Sequence, residues 1–190
     1  MDMKKAVLAF AMSMIPVSAV LAESYTLDPR HTFPRLAIDH MGFSTVYGHF
    51  NNTSGKLEMD RAAQTGSVEV TIDASSIDTA YDKRDEHLRS PDFLNVAEYP
   101  EITFKSTGVT YNSDVLSSVD GEITILGVTK PITLTVDRMK CGANPLDKKD
   151  TCGFDASATL KRSDFGMNYG IPGVGDEMKL MIGVEAIKDE

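Results

Sequence analysis

Apolar and polar residues alternate along most of this chain, and this alternation constrains the fold more than any other feature. It recurs in residues 56–60, 68–73, 102–105, 121–125, 132–136, 154–161 and 178–186. A period of two is typical of strands with one buried face and one wet face. The sequence therefore predicts seven or eight strands.

Strands of this kind favour antiparallel sheets, because a parallel sheet needs helical crossovers and fully apolar strands. An antiparallel sheet with one dry face must either close into a barrel or pair into a sandwich. About eight strands give a barrel that is filled by side chains or holds one slender ligand. Both architectures stay open at this point.

One long segment, residues 78–104, breaks the alternation. Charged residues crowd into 82–89, which favours a short helix, and Pro91 and Pro100 end any helix nearby. We expect this insertion to lie across one end of the strands, with Leu88 and Phe93 docked on them. Its arginines are expected to pair with neighbouring carboxylates, namely Arg84 and Arg89 with Asp82, Asp85, Glu86 or Asp92.

The first 22 residues have the pattern of a secretory signal. Lys4 and Lys5 precede a mostly apolar run over 6–20, and small residues stand at the expected cleavage point after Ala22. The apolar run is too short for a transmembrane span, and no other segment approaches the required length. The sequence predicts an exported chain with one domain over residues 23–190 and no integral membrane segment.

The charge balance disfavours two classes of partner. The formal net charge is −9 at pH 7. An acidic surface repels phosphate backbones and anionic lipid head groups, so we expect neither nucleic acid nor a membrane surface as a partner.

Cys141 and Cys152 are the only cysteines. Export would place them in an oxidising compartment, where a disulfide between them would join the ends of a turn-rich loop. A redox role is the alternative, but the spacing is far from Cys-x-x-Cys. We predict a structural disulfide.

Three histidines, His31, His40 and His49, recur every nine residues and raise the question of a metal site. An odd spacing on an extended chain alternates faces, so we predict hydrogen-bonded histidines and no metal.

Two fragments of a hydrolase triad, Asp85 with His87 and Asp164 with Ser163, lack a Gly-x-Ser-x-Gly turn or a comparable nucleophile. We predict no catalytic residues and no enzyme.

Seven short motifs occur in an order that resembles a known family. They are His31-Thr32 with Leu36, Ile38 and His40; residues 46–50; 76–79; 84–93; 99–104; 127–131; and 162–166. Together they resemble the YceI-like family of bacterial periplasmic proteins over essentially the whole chain after the signal. Pro34, where the family often has an aliphatic residue, and the cysteine pair are departures from the common pattern.

The resemblance implies an all-β fold, an extended eight-stranded antiparallel lipocalin-like barrel with a short helical insertion. It also implies a periplasmic protein whose apolar interior holds a polyisoprenoid or another long-chain amphiphile, such as an isoprenoid carrier lipid or a prenylated quinone. No further cofactor is expected. Some members of the family are linked to stress responses.

The alternation then selects the residues expected to contact such a ligand. They are Leu36, Ile38, His40, Phe50, Val70, Ile72, Phe104, Ile123, Leu134, Ala158 and Ile182. Small Ala156 and Ala158 and pliable Met59, Met178 and Ser106 would leave room for a tail. The glycine-rich loop over 170–175 is an ordinary connection or an access gate.

The alternative hypothesis is a ligand-free β-sandwich that serves as a structural or interaction module with a stress-response role. In either case, a strand edge near Pro34 would permit a homodimer.

Overall fold

The computed structural model describes residues 22–190. The signal sequence expected over residues 1–22 lies outside the described residues except for Ala22, so it stays a prediction.

Eleven strands make up most of the described part of the chain, residues 22–190. They are β1 (Glu23–Leu27), β2 (Phe33–His40), β3 (Ser44–Phe50), β4 (Thr53–Asp60), β5 (Thr65–Asp73), β6 (Ile77–Asp78), β7 (Glu101–Asn112), β8 (Val115–Ile125), β9 (Val128–Ala143), β10 (Asp150–Lys161) and β11 (Val174–Lys188). Within the same described residues, one α-helix, α1 (Asp82–Arg89), and two 3-10 turns, Ala74–Ser76 and Arg162–Phe165, interrupt the strands.

Eight of these strands form a closed antiparallel ring in the order β1-β4-β5-β7-β8-β9-β10-β11. The ring closes because β1 pairs with β4 on one side and with the end of β11 on the other, where Tyr25 lies opposite Lys188. The predicted eight-stranded barrel with a short helical insertion is therefore confirmed. The alternative β-sandwich is wrong, since one sheet closes on itself.

The other three strands extend the wall beside β11. β2 pairs with residues 174–183 of β11, β3 follows β2, and the short β6 pairs with His49 and Phe50 of β3. A corner at Asp28 separates β1 from β2 and lets both use the same edge of β11. Its carboxylate accepts hydrogen bonds from Arg30 and is 2.8 Å from Nδ1 of His31, while its N–H donates to the carbonyl of Glu185 at 2.8 Å.

Helix α1 begins and ends where its sequence favours it. Asp82 and Asp85 lie in the first turn and Arg89 in the last, which suits the helix dipole. The chain leaves the helix at Ser90, just before Pro91. In the part of the chain that the structure describes, no helix is long and apolar enough to cross a membrane.

The charged side chains of α1 do not pair as the sequence suggested. Arg84 donates to the hydroxyl and the carbonyl of Thr79, and Arg89 donates to the carbonyls of Ser75 and Ile77. Buried Asp85 accepts from the N–H of Thr79 at 3.0 Å and from its hydroxyl. The prediction of Arg–carboxylate pairs is wrong because strand ends beside α1 offer backbone groups that need partners.

Cys141 and Cys152 are bonded to each other. They are directly opposed residues of β9 and β10, with Cα atoms 4.0 Å apart, and the six-residue connection over 144–149 follows the pair. The predicted cysteine pairing is confirmed.

Candidate functional site

The barrel encloses a cavity of about 420 Å³. This volume lies within the range of about 300–1,000 Å³ that is usual for sites holding small molecules. Its lining is almost wholly apolar, and it extends between two ends of the barrel that are closed in different ways.

The first end, which we call the packed end, is closed by side chains. Tyr25, Met59, Cys152 and Ala186 pack together there, and each is 0–2% exposed. Burial and the carboxylate of Glu23, which accepts the hydroxyl hydrogen bond at 2.7 Å, raise the pKa of Tyr25 to about 12. The tyrosine is therefore neutral and its polar atom has a partner.

The wall of the cavity follows from the register of the sheet. Val70 lies opposite Phe104, and Phe104 lies opposite Ile123, so three neighbouring strands present apolar residues on one face. A β-carbon on Gly121 would clash with the Phe104 ring. Glycine at this position lets the ring lie directly over the strand.

Ten of the eleven residues selected from the alternation line the cavity. They are Leu36, Ile38, His40, Phe50, Val70, Ile72, Phe104, Ile123, Leu134 and Ile182. Whether they contact a ligand stays a prediction.

Ala158 is not among the lining residues. Ala158 pairs with Leu180 of β11, and Leu160 is the next residue on the same face of β10. Both leucines line the cavity. A methyl group ends closer to the sheet than these longer side chains do. Ala156, which faces Val136 and Ile182 across the sheet, does line the cavity.

The second end, which we call the capped end, is covered by α1, residues 90–100 and residues 162–173. Leu88, Phe93 and Leu94 close the cavity there. The positions of Leu88 and Phe93 at the cavity agree with the prediction that these two residues dock on the barrel.

An aromatic collar of His87, Phe93 and Tyr169 surrounds the capped end. The His87 ring centroid is 5.0 Å from that of Phe93 and 4.9 Å from that of Tyr169. The collar is held in part by a 2.8 Å contact between Nε2 of His87 and the Asp92 carboxylate. Tyr169 both lines the cavity and is 52% exposed, so the cavity reaches the surface at this collar.

Arg162 is the most buried charged residue of the capped end, at 3% exposure. It donates to the carbonyls of Gly175 at 2.8 Å, Met167 at 2.8 Å and Val174 at 3.0 Å. These bonds attach both ends of the connection between Arg162 and β11 to the barrel. They include Val174 and Gly175 of the glycine-rich loop over 170–175, which favours the interpretation of that loop as an ordinary connection. Burial lowers the pKa of the guanidinium, and the charge of Asp176 opposes that shift.

Sequence reasoning missed Arg162, Arg84, His87 and Tyr169 as lining residues. The sequence did contain a signal for Arg162. Ala156 and Leu160 lie on the inward face of β10, and the same period of two, continued by two residues, places Arg162 on that face. The others lie on a helix or loop, where no period of two applies.

The histidines and triad fragments have separate surroundings. His31 contacts Asp28, His49 contacts Asn51, and His40 lies at the cavity. Ser163 donates its hydroxyl hydrogen to Asp176, not to Asp164. Within residues 22–190, no group of three or more His, Cys, Asp or Glu side chains is arranged to hold a metal ion.

Comparison with known proteins agrees with this architecture. The model of the YceI-like domain matches residues 25–186. Protein YceI of Escherichia coli is 37% identical to this chain over 193 aligned residues, with 99% of this chain and 100% of that protein covered. The crystal structure of a Campylobacter jejuni YCEI protein is similar with a TM-score of 0.68 and 30% identity, covering 80% of this chain and 90% of that one.

A third similar structure, a polyisoprenoid binding domain from Saccharophagus degradans, has a TM-score of 0.66 and 17% identity, covering 88% of this chain and 99% of that one. At this identity the likeness shows the fold alone. The family model and the relative from Escherichia coli extend over nearly the whole barrel. The chain therefore belongs to the family of proteins with a YceI-like domain.

Proposed function

We propose that this protein is a non-enzymatic binding protein that holds a long-chain isoprenoid, or a similar single-chain amphiphile, inside its barrel. The observation that carries the proposal is the apolar cavity of about 420 Å³ within a closed ring of strands. A core built only for stability would fill this space, because protein interiors are close-packed.

The physical driving force is removal of an apolar chain from water. Each methylene transferred into the cavity contributes about 0.8 kcal/mol. Pliable Met59 and Met178 line the space and can adapt to a branched tail. Several isoprene units would then bind without a covalent or metal anchor.

Family membership and the related fold support this proposal. The domain from Saccharophagus degradans is described as binding a polyisoprenoid and has the same fold. The signal predicted from the sequence would place this protein in the periplasm, where an insoluble chain needs a carrier to leave a membrane. A prenylated quinone is one ligand of the proposed class, and neither a cofactor nor a homodimer is part of the proposal.

The test is native mass spectrometry of protein purified gently from its host, followed by lipid extraction. We expect a bound mass that extraction identifies as a long-chain amphiphile. The variant Ala156→Phe would place a ring in the cavity and should reduce lipid occupancy while the protein stays folded.

Ser157→Phe is the matched control, because the neighbouring residue of β10 points to the other face. It should keep its lipid. A ligand-free mass in the unmodified protein would instead support the ligand-free interaction module. Full occupancy in a folded Ala156→Phe variant would contradict a ligand inside the barrel cavity.

A further inference from the structure

The charges that line the cavity have one sign. The chain has 28 Asp and Glu residues and 19 Lys and Arg residues, yet none of the Asp and Glu residues within 22–190 lines the cavity. Arg84, Arg162, His40 and His87 do line it. Arg35 also borders it, but its side chain is exposed on the opposite face of β2. An apolar tail alone would require none of these groups.

These groups converge at the capped end. The Cζ atom of Arg162 lies 5.9 Å from the ring centroid of Phe93, which belongs to the aromatic collar. Arg84 lies one helical turn before His87 on α1. His40 is opposite Val174, whose carbonyl accepts from Arg162.

Arg162 retains hydrogen-bonding capacity. A guanidinium has five N–H groups, and the three bonds that Arg162 makes within the described chain are all to carbonyls. A buried cation without a contacting carboxylate is costly. An anion at the cavity end would compensate that charge.

The nearby carboxylates are engaged elsewhere. Asp176 accepts from the N–H and hydroxyl of Ser163, which lowers its pKa. Asp92 contacts His87, and Asp85 accepts from Thr79. None of the three lines the cavity.

We propose that the capped end is a head-group site, formed by Arg162 and Arg84 within the collar of His87, Phe93 and Tyr169, that selects amphiphiles with an anionic oxygen head group. The tail extends from this site toward the packed end. A carboxylate and a phosphate share the required chemistry, because both accept charge-assisted hydrogen bonds from arginine. The inference rests on the proposed function and names the ligand class of the same cavity.

The experiment is a competition between matched amphiphiles that differ only in the head group. The purified protein is incubated with equimolar oleate and oleyl alcohol, and separately with equimolar farnesyl phosphate and farnesol. Native mass spectrometry then gives the ratio of anionic to neutral ligand bound. We expect the anionic member to be favoured by about 10-fold to 100-fold in at least one pair. The pair with the larger ratio distinguishes a carboxylate from a phosphate ligand.

Variants separate head-group binding from support of the loop. Arg162→Gln and Arg84→Gln should each reduce the ratio by about tenfold while binding of the neutral alcohol persists. Arg138→Gln is the control, because Arg138 is 76% exposed and pairs with Asp155 away from the cavity. It makes the same charge change and should leave the ratio unaltered. If Arg162→Gln does not fold, Arg84→Gln carries the test.

The outcomes distinguish this inference from the proposed function. Equal binding of acid and alcohol would overturn the head-group site and leave the lipid-binding function standing. A loss of both ligands in equal proportion in the folded variants would assign the arginines a purely structural role. Binding of neither pair by the unmodified protein would contradict both proposals.

Discussion

The two ends of the barrel are closed by different physical means. At the packed end, Tyr25, Met59, Cys152 and Ala186 exclude water by direct side-chain packing, and the disulfide joins the strands beside them. At the capped end, α1 and the loop after β10 combine apolar contacts of Leu94 and Met167 with hydrogen bonds from Arg84, Arg89 and Arg162 to backbone carbonyls.

This difference has consequences for both stability and access. Apolar packing gains free energy from every atom removed from water, whereas a hydrogen bond contributes a net of about 0.5–1.5 kcal/mol. We therefore expect truncation of a buried apolar side chain at the packed end to cost more free energy of unfolding than loss of one hydrogen bond at the capped end. At the capped end, half-exposed Tyr169 brings the cavity to the surface, so we expect the proposed ligand to enter there.

The largest expected effect comes from truncating the packed end. Met59→Ala should lower the free energy of unfolding by about 2–5 kcal/mol, because it opens a void among fully buried neighbours. Met178→Ala is the matched control, since Met178 also lines the cavity but is only half-buried, so its truncation should cost less. Denaturant titration measures both. If the two variants lost the same free energy of unfolding, the packed end would not be more tightly packed than the wall of the cavity.

Removal of the disulfide should have the next largest effect. Replacing Cys141 and Cys152 together by alanine should destabilise the fold by about 3 kcal/mol, through loss of loop-closure entropy in the unfolded chain. Because the disulfide is remote from the capped end, lipid occupancy should not change. Unfolding titration with and without reductant, together with native mass spectrometry, checks both statements. Lost occupancy in a folded double variant would mean that the ends are coupled.

At the capped end, Asp85→Ala should cost about 1–3 kcal/mol. Asp85 is 6% exposed and accepts from the N–H of Thr79, which would be left buried without its partner. Asp82→Ala, at an exposed position of the same helical turn, is the control and should change stability by at most about 0.5 kcal/mol. Thermal melts give the comparison. An unchanged melting temperature for Asp85→Ala would show that the hydrogen bonds from Thr79 to Asp85 contribute nothing to stability.

The smallest effect concerns the corner at Asp28, which connects β1 to β2. Hydrogen bonds from Arg30 and His31 hold the pKa of this carboxylate well below its ordinary value. Asp28 therefore stabilises the folded state fully at pH values above its unfolded pKa of about 3.9. This stabilisation is lost progressively as the pH falls from there toward the lowered pKa of the folded state. We expect a loss of about 1 kcal/mol, since both partners are more than half exposed.

The measurement is unfolding by denaturant in a series of acidic buffers. Asp28→Asn should flatten the dependence on pH in this range. An unaltered slope in Asp28→Asn would assign the acid sensitivity to other carboxylates.

Much of the barrel could be predicted from the sequence, because strand alternation is a local property. A residue such as Val70 faces inward because its neighbours Glu69 and Thr71 face the other way. The same rule placed Phe104, Ile123 and Ile182 at the cavity. The helical insertion was also predictable, since Pro91 and the charged run before it exclude a strand.

What the sequence did not determine is how the ends are closed. Arg84 and Arg89 were expected to bind nearby carboxylates, but they bind carbonyls of residues 75–79. The choice depends on which backbone groups lie within reach after the strands have paired. Ala158 is a second example. The sequence predicted which face of β10 it lies on, but not that the longer side chains of Leu160 and Leu180 would separate it from the cavity.

The sequence by itself determined which face of each strand is apolar, and hence that the strands had to enclose an interior. Only the tertiary structure decided that the ring closes through the pairing of Tyr25 with Lys188, that a cavity remains inside, and that Arg162 borders it. The physical reason is range: alternation acts between adjacent residues, whereas closure and cavity volume depend on side chains brought together from opposite ends of the chain.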